Sequence, residues 1–106
     1  MTYEEQKILD TLPEGGLNPR TYKSIAWSTN IKEREVRAIV AHLVTDHHIC
    51  ICTTSSGGYF LATTYEEYNE AHRELISRIK KLSKRAKGLR LGYNENVRRD
   101  EQLTLI

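Results

Sequence analysis

The sequence predicts a mostly α fold with a small β-hairpin and one long C-terminal helix. Three observations predict it. Up to Thr45, apolar residues recur at helical spacing and are broken at Pro13–Gly16 and at Thr29-Asn30. Two β-branched and aromatic runs then flank a loop containing glycine. Finally, a capping box at Thr64 opens a stretch in which acids precede bases.

Each element has a local reason. Thr2-x-x-Glu5 is a capping box, so a first helix is expected from Tyr3 to Thr11, with Ile8, Leu9 and Leu12 as its apolar positions. Pro13 and Gly15-Gly16 end it in a connector expected to be flexible. Thr21 caps a short second helix, Tyr22 to about Ser28, whose inward face is Tyr22, Ile25, Ala26 and Thr29. Asn30 takes a left-handed conformation cheaply and makes a tight break. The third helix, from about Lys32 to Thr45, turns Val36, Ile39, Val40, Leu43 and Val44 inward and Lys32, Glu33, Arg34, Arg37 and Ala41 outward. Ile49–Thr53 and Tyr59–Thr63 are the hairpin strands around Thr54–Gly58.

Thr64-x-x-Glu67 opens the last helix, expected to run to Lys87 with Gly88 as its C-terminal cap. Glu66, Glu67, Glu70 and Glu74 fill its first half; Arg78, Lys80, Lys81, Lys84, Arg85 and Lys87 fill its second. The expected organisation is therefore a domain over 1–63, a basic helix over 64–88 and an extended tail over 89–106.

Helix, helix, tight turn, helix, hairpin is the order of a winged helix-turn-helix. Ile25-Ala26, Thr29-Asn30-Ile31 and Arg34-x-Val36-Arg37-x-Ile39-Val40-x-x-Leu43 resemble the pattern of a Leu-Ala pair, Thr-Gly-Ile and a recognition helix with an Arg-x-Val-Arg core. The run from Ile51-Cys52 through Gly58-Tyr59-Phe60-Leu61-Ala62 resembles the wing of small phage- and prophage-type winged-helix proteins, in which the wing leads into a Glu-rich, then Lys/Arg-rich helix. The similarity spans residues 3–88. It implies binding of double-stranded DNA by a regulatory or replication accessory protein. The chain departs from the pattern at Asn30, in place of the turn glycine, and at Lys32, where Ser or Thr normally caps the recognition helix.

Charge supports the same expectation. The net charge is only +2, but it is distributed unevenly. Residues 1–63 carry six Lys/Arg against seven Asp/Glu, and residues 64–106 carry ten against seven. Within the first part, Arg20, Lys23, Lys32, Arg34 and Arg37 cluster in sequence. Such local patches are the footprint of a nucleic-acid partner. Arg34 and Arg37 are long enough to reach guanine edges, Lys32 sits where it could meet a phosphate, and Arg20 and Lys23 are further DNA-binding candidates. Lys80, Lys81, Lys84 and Arg85 would add sequence-independent contacts. The alternative for all of these is a solvated helix face. The wing loop has no Lys or Arg.

Tyr68, His72, Leu75, Ile79, Leu82, Ala86 and Leu89 follow a heptad a/d seam, so a homodimer is expected through Leu75, Ile79, Leu82 and Leu89. The terminal Gln102-Leu103-Thr104-Leu105-Ile106 resembles the short Gln-Leu-x-Leu-Phe peptide with which bacterial replication proteins dock on a sliding clamp, with Ile106 in place of Phe. That resemblance implies a competing function, a protein–protein adaptor anchored through Gln102, Leu103, Leu105 and Ile106. The other possibility for these residues is folding back onto the chain's own apolar surface.

His42, His47, His48, Cys50 and Cys52 invite comparison with a zinc site. No second Cys pair stands at zinc-ribbon spacing, and no metal or cofactor is expected. A disulfide between Cys50 and Cys52, neighbours in one strand, is not expected either. Neither a Gly-rich phosphate loop nor a catalytic triad pattern is visible, so catalysis is not expected. Trp27 lies off the apolar face of its helix, either filling a gap below the first helix or exposed at an interface. No apolar run is long enough to span a bilayer, and Glu4-Glu5 stand where a signal peptide needs basic and apolar residues; a cytoplasmic address without membrane contact is expected.

Overall fold

The computed structural model describes the backbone of residues 1–104 and the side chains of residues 1–96. Four helices and a three-stranded sheet follow in the order α1 (Tyr3–Thr11), β1 (Arg20–Thr21), α2 (Tyr22–Thr29), α3 (Glu33–Thr45), β2 (Ile51–Thr53), β3 (Gly58–Leu61) and α4 (Tyr65–Thr104). This is the winged helix-turn-helix arrangement with a long C-terminal helix. The sheet is antiparallel in the order β1-β3-β2, with Arg20 opposite Tyr59 and Cys52 opposite Phe60. β1, only two residues long, was not expected from the sequence; such a strand has no periodicity to display.

The core forms where α1, α2 and α3 meet the sheet. Ile8, Leu12, Ile25, Ile31, Val36, Val40, Leu43 and Tyr59 make one buried cluster. The helical spacing therefore selected the right faces, except that Val44 is exposed. Two side-chain caps start their helices as expected: the Glu5 amide donates to Thr2 Oγ1 at 3.2 Å, and the Ser24 amide to Thr21 Oγ1 at 3.1 Å. Asn30 has φ 58°, in the left-handed region, and closes α2. Lys32 caps α3 without a side-chain hydrogen bond, as the missing Ser or Thr implied.

Two expectations are corrected. The connector after α1 is pinned rather than free. The Gly15 amide donates to the Leu61 carbonyl at 2.8 Å, and the Leu61 amide to the Pro13 carbonyl at 2.8 Å. The extended tail over 89–106 is also replaced, because α4 continues to Thr104, 40 residues in all. Gly88 stops a helix only when it takes a left-handed conformation, and it has no positive φ. Within a right-handed helix, a glycine merely lowers helix stability. The backbone of Gln102 and Leu103 is thus helical; their side chains, and all of Leu105 and Ile106, lie outside the described residues.

The chain divides into two compact units, Met1–Ala71 and His72–Ile106. The boundary lies eight residues beyond the expected one, because Glu67 ties the start of α4 to the winged unit. One carboxylate oxygen accepts the Thr63 amide (2.9 Å) and the Thr64 amide (3.3 Å), and the other accepts the Gly16 amide (2.7 Å). With the Glu67 amide donating to Thr64 Oγ1, the capping box is complete. These donors hold the Glu67 carboxyl below its ordinary value, the Thr63 amide contributing most and partial burial opposing them.

Candidate nucleic-acid interface

The outward face of α3 is set by the burial of the opposite one. With Val36, Val40 and Leu43 in the core, Glu33, Arg34, Arg37, Ala38 and Ala41 are exposed. Arg37 is held in position. Its guanidinium lies 3.9 Å from the centroid of the Tyr22 ring, a cation–π distance. The same ring meets the wing, since a Cβ added at Gly57 would stand 3.5 Å from Tyr22. Gly57 has φ +85° and carries the turn between β2 and β3, where its amide donates to the Thr54 carbonyl at 3.0 Å. Arg37 of α3, Tyr22 and the hairpin turn therefore follow one another in space.

Arg20, in β1, is half-buried. Its guanidinium donates to Ser24 Oγ at 3.0 Å and Ser28 Oγ at 3.1 Å along α2. Several of its donors are thus committed within the chain, a role the sequence did not suggest. Lys23 and Lys32 are exposed, and with Ala26, Asn30, Ile31 and Glu33 they line a shallow depression of about 510 Å³ on the helix-turn-helix. Trp27 forms its wall and is 89% exposed, so it does not fill a gap below α1. The wing loop offers the exposed hydroxyls of Ser55 and Ser56.

Five of the nine expected DNA-contacting residues thus fall within the winged unit: Arg20, Lys23, Lys32, Arg34 and Arg37. The other four, Lys80, Lys81, Lys84 and Arg85, are exposed on the second unit. On that unit the seam residues Leu75, Ile79, Leu82 and Leu89 are 55–71% exposed. Continuing α4 past Gly88 brings Tyr93 onto the same heptad position as Ile79, which an ending at Gly88 concealed.

The Cys/His group separates. Cys50 is exposed and Cys52 buried, both as free thiols, and burial pushes the Cys52 thiol up to about 11. His42 and His47 instead approach Glu5 of α1. No helix among the described residues is long and apolar enough to cross a membrane. No family, no curated protein and no solved structure matches this chain in comparisons with known proteins.

Proposed function

We propose that the chain binds double-stranded DNA through α3 and acts in the cytoplasm as a regulatory or replication accessory protein of phage type, by binding rather than catalysis. The observation that carries this reading is the outward face of α3. Arg34 and Arg37 are exposed on a helix anchored by its opposite face, with Arg37 braced on Tyr22 beside the wing. A major groove admits one such helix, and a braced arginine loses less freedom on engaging a guanine edge. Lys23 and Lys32 flank the turn, where phosphates pass an inserted recognition helix.

The test is selection of duplexes from a random pool, followed by titration of the selected site. Arg34→Ala and Arg37→Ala should each weaken binding by about 1–3 kcal/mol, roughly 5- to 150-fold, with little change in melting temperature. If both variants bind the selected duplex as the parent does, α3 is not the reading element. The alternative, docking of Gln102–Ile106 on a sliding clamp, has no observation in its favour among the described residues.

A further inference from the structure

The winged unit contains a second cluster, away from the exposed arginines. Glu5 of α1, His42 of α3 and His47 of the turn after α3 bring three donor atoms within 4.8 Å of one another. His47 Nε2 lies 2.7 Å from Glu5 Oε2, and His42 Nε2 lies 3.9 Å from Glu5 Oε1. The two rings meet edge to face, 5.3 Å between centroids. Glu5 is only 8% exposed. Glu5 Oε2 is buried, and the His47 imidazole is its ion-pair partner at 2.7 Å. One carboxylate and two imidazoles converging from two helices and a turn are donors of the kind that hold a divalent transition metal.

The surroundings are those of a metal ligand set. Asp46 Oδ2 stands 2.6 Å from His42 Nδ1. With Nδ1 engaged by Asp46, Nε2 is the atom that faces Glu5; carboxylate–histidine pairs orient metal-bound imidazoles in this way. His47 is fixed by the turn that follows it. His48 has φ +57°, and the Ile49 amide closes back on the Leu43 carbonyl at 3.1 Å. Zinc bonds of 2.0–2.2 Å put tetrahedral ligand atoms about 3.4 Å apart. The observed separations bracket that spacing, so side-chain adjustments of about an ångström suffice. His42 and His47 are partly exposed, leaving solvent access for a fourth ligand.

We propose that Glu5, His42 and His47 bind a zinc-class divalent cation, with Asp46 orienting His42 and water as the fourth ligand. The site joins the first turn of α1 to the C-terminal end of α3, and the proposal is independent of DNA binding.

The test uses the full-length, tag-free chain and Zn²⁺ alone, in competition with a chromophoric chelator. One equivalent should bind and raise the melting temperature. His47→Ala and Glu5→Gln should weaken binding at least tenfold, and Asp46→Asn, an exposed change that spares the fold, by about 10- to 100-fold. His48→Gly removes the neighbouring imidazole and suits the left-handed backbone; with Cys50→Ser it should leave affinity unchanged. Co²⁺ should give a tetrahedral visible spectrum without a thiolate charge-transfer band. Failure to compete with the chelator would overturn the proposal, as would affinity indifferent to both His47→Ala and Asp46→Asn. A thiolate band lost in Cys50→Ser would assign the metal elsewhere and overturn it as well.

Discussion

Glu67 shows how one side chain can hold elements together through backbone donors. Its carboxylate receives amides from two segments distant in sequence, Gly16 and Thr63-Thr64. Because its folded-state value lies below the ordinary 4.5, the sign is fixed. The stabilisation is present above the unfolded value and is lost as pH falls through the folded one. Glu67→Gln should therefore melt lower than the parent at pH 7, with the gap closing as both are acidified below about pH 4. Melting curves by circular dichroism across pH would show it; a gap independent of pH would assign the effect to packing. Glu5 occupies the equivalent place in the first capping box, yet its carboxylate is turned toward His42 and His47. Burial pushes it up, but Thr2 and the two imidazoles outweigh that and leave it lowered. Sequence spacing shows a box at both places. Which carboxylate closes its box depends on what the fold brings opposite, and Glu5 meets residues some 40 positions away. The metal cluster was illegible for that reason: the sequence offered the histidines with the nearby cysteines, and the third donor came from another helix.

At the scale of elements, the helices were legible because each has a periodic apolar face and all but α3 have a capping side chain. β1 lacked both signals. Gly88 signals a helix stop in the sequence, but among the described residues beyond it there is no left-handed residue, and no proline follows. Gly88 and Gly92 have open space around the missing Cβ, with nothing within 4 Å. Both are off the heptad seam. Gly88→Ala and Gly92→Ala should each stabilise the helix by about 1 kcal/mol. The checks are a stronger helical ellipticity at 222 nm and a higher midpoint; loss of ellipticity would mean that α4 is broken there. The wing was legible as a hairpin, but its contact with Tyr22, and the stacking of Arg37 on that ring, needed the tertiary fold. Tyr22→Leu should keep the fold and weaken DNA binding by about 1 kcal/mol, through loss of the cation–π brace. Equal affinity in a duplex titration would mean that Arg37 needs no brace.

At the scale of the whole molecule, a 40-residue helix is about 60 Å long, and Leu75, Ile79, Leu82, Leu89 and Tyr93 are exposed along it. Pairing of two copies would bury them. Sedimentation should give twice the 12.3 kDa chain mass, and Leu82→Glu should return a monomer, since a lone charge in the seam has no partner. A parent that stays monomeric at high micromolar concentration would rule the seam out. If the basic half of α4 also touches phosphates, replacing Lys80, Lys81, Lys84 and Arg85 by Gln should reduce the salt slope of DNA binding, by up to about 3.6 if every one is engaged.

The order of charge along α4 has a bearing on direction. Glu66, Glu67, Glu70 and Glu74 precede seven cations between Arg78 and Arg90. Parallel chains would set acid beside acid and base beside base. Antiparallel chains centred near Ile79 would set the acidic half of one copy along the basic half of the other, with Glu70, Glu74, Lys84 and Lys87 on the outer side of the seam. The charge pattern thus acts as a polarity mark, favouring the head-to-tail pair and making its strength decline as salt screens it. Because Lys80, Lys84 and Lys87 lie outside the seam, pairing of two copies leaves them open to phosphate, so self-association and the non-specific hold on DNA draw on different side chains of one helix.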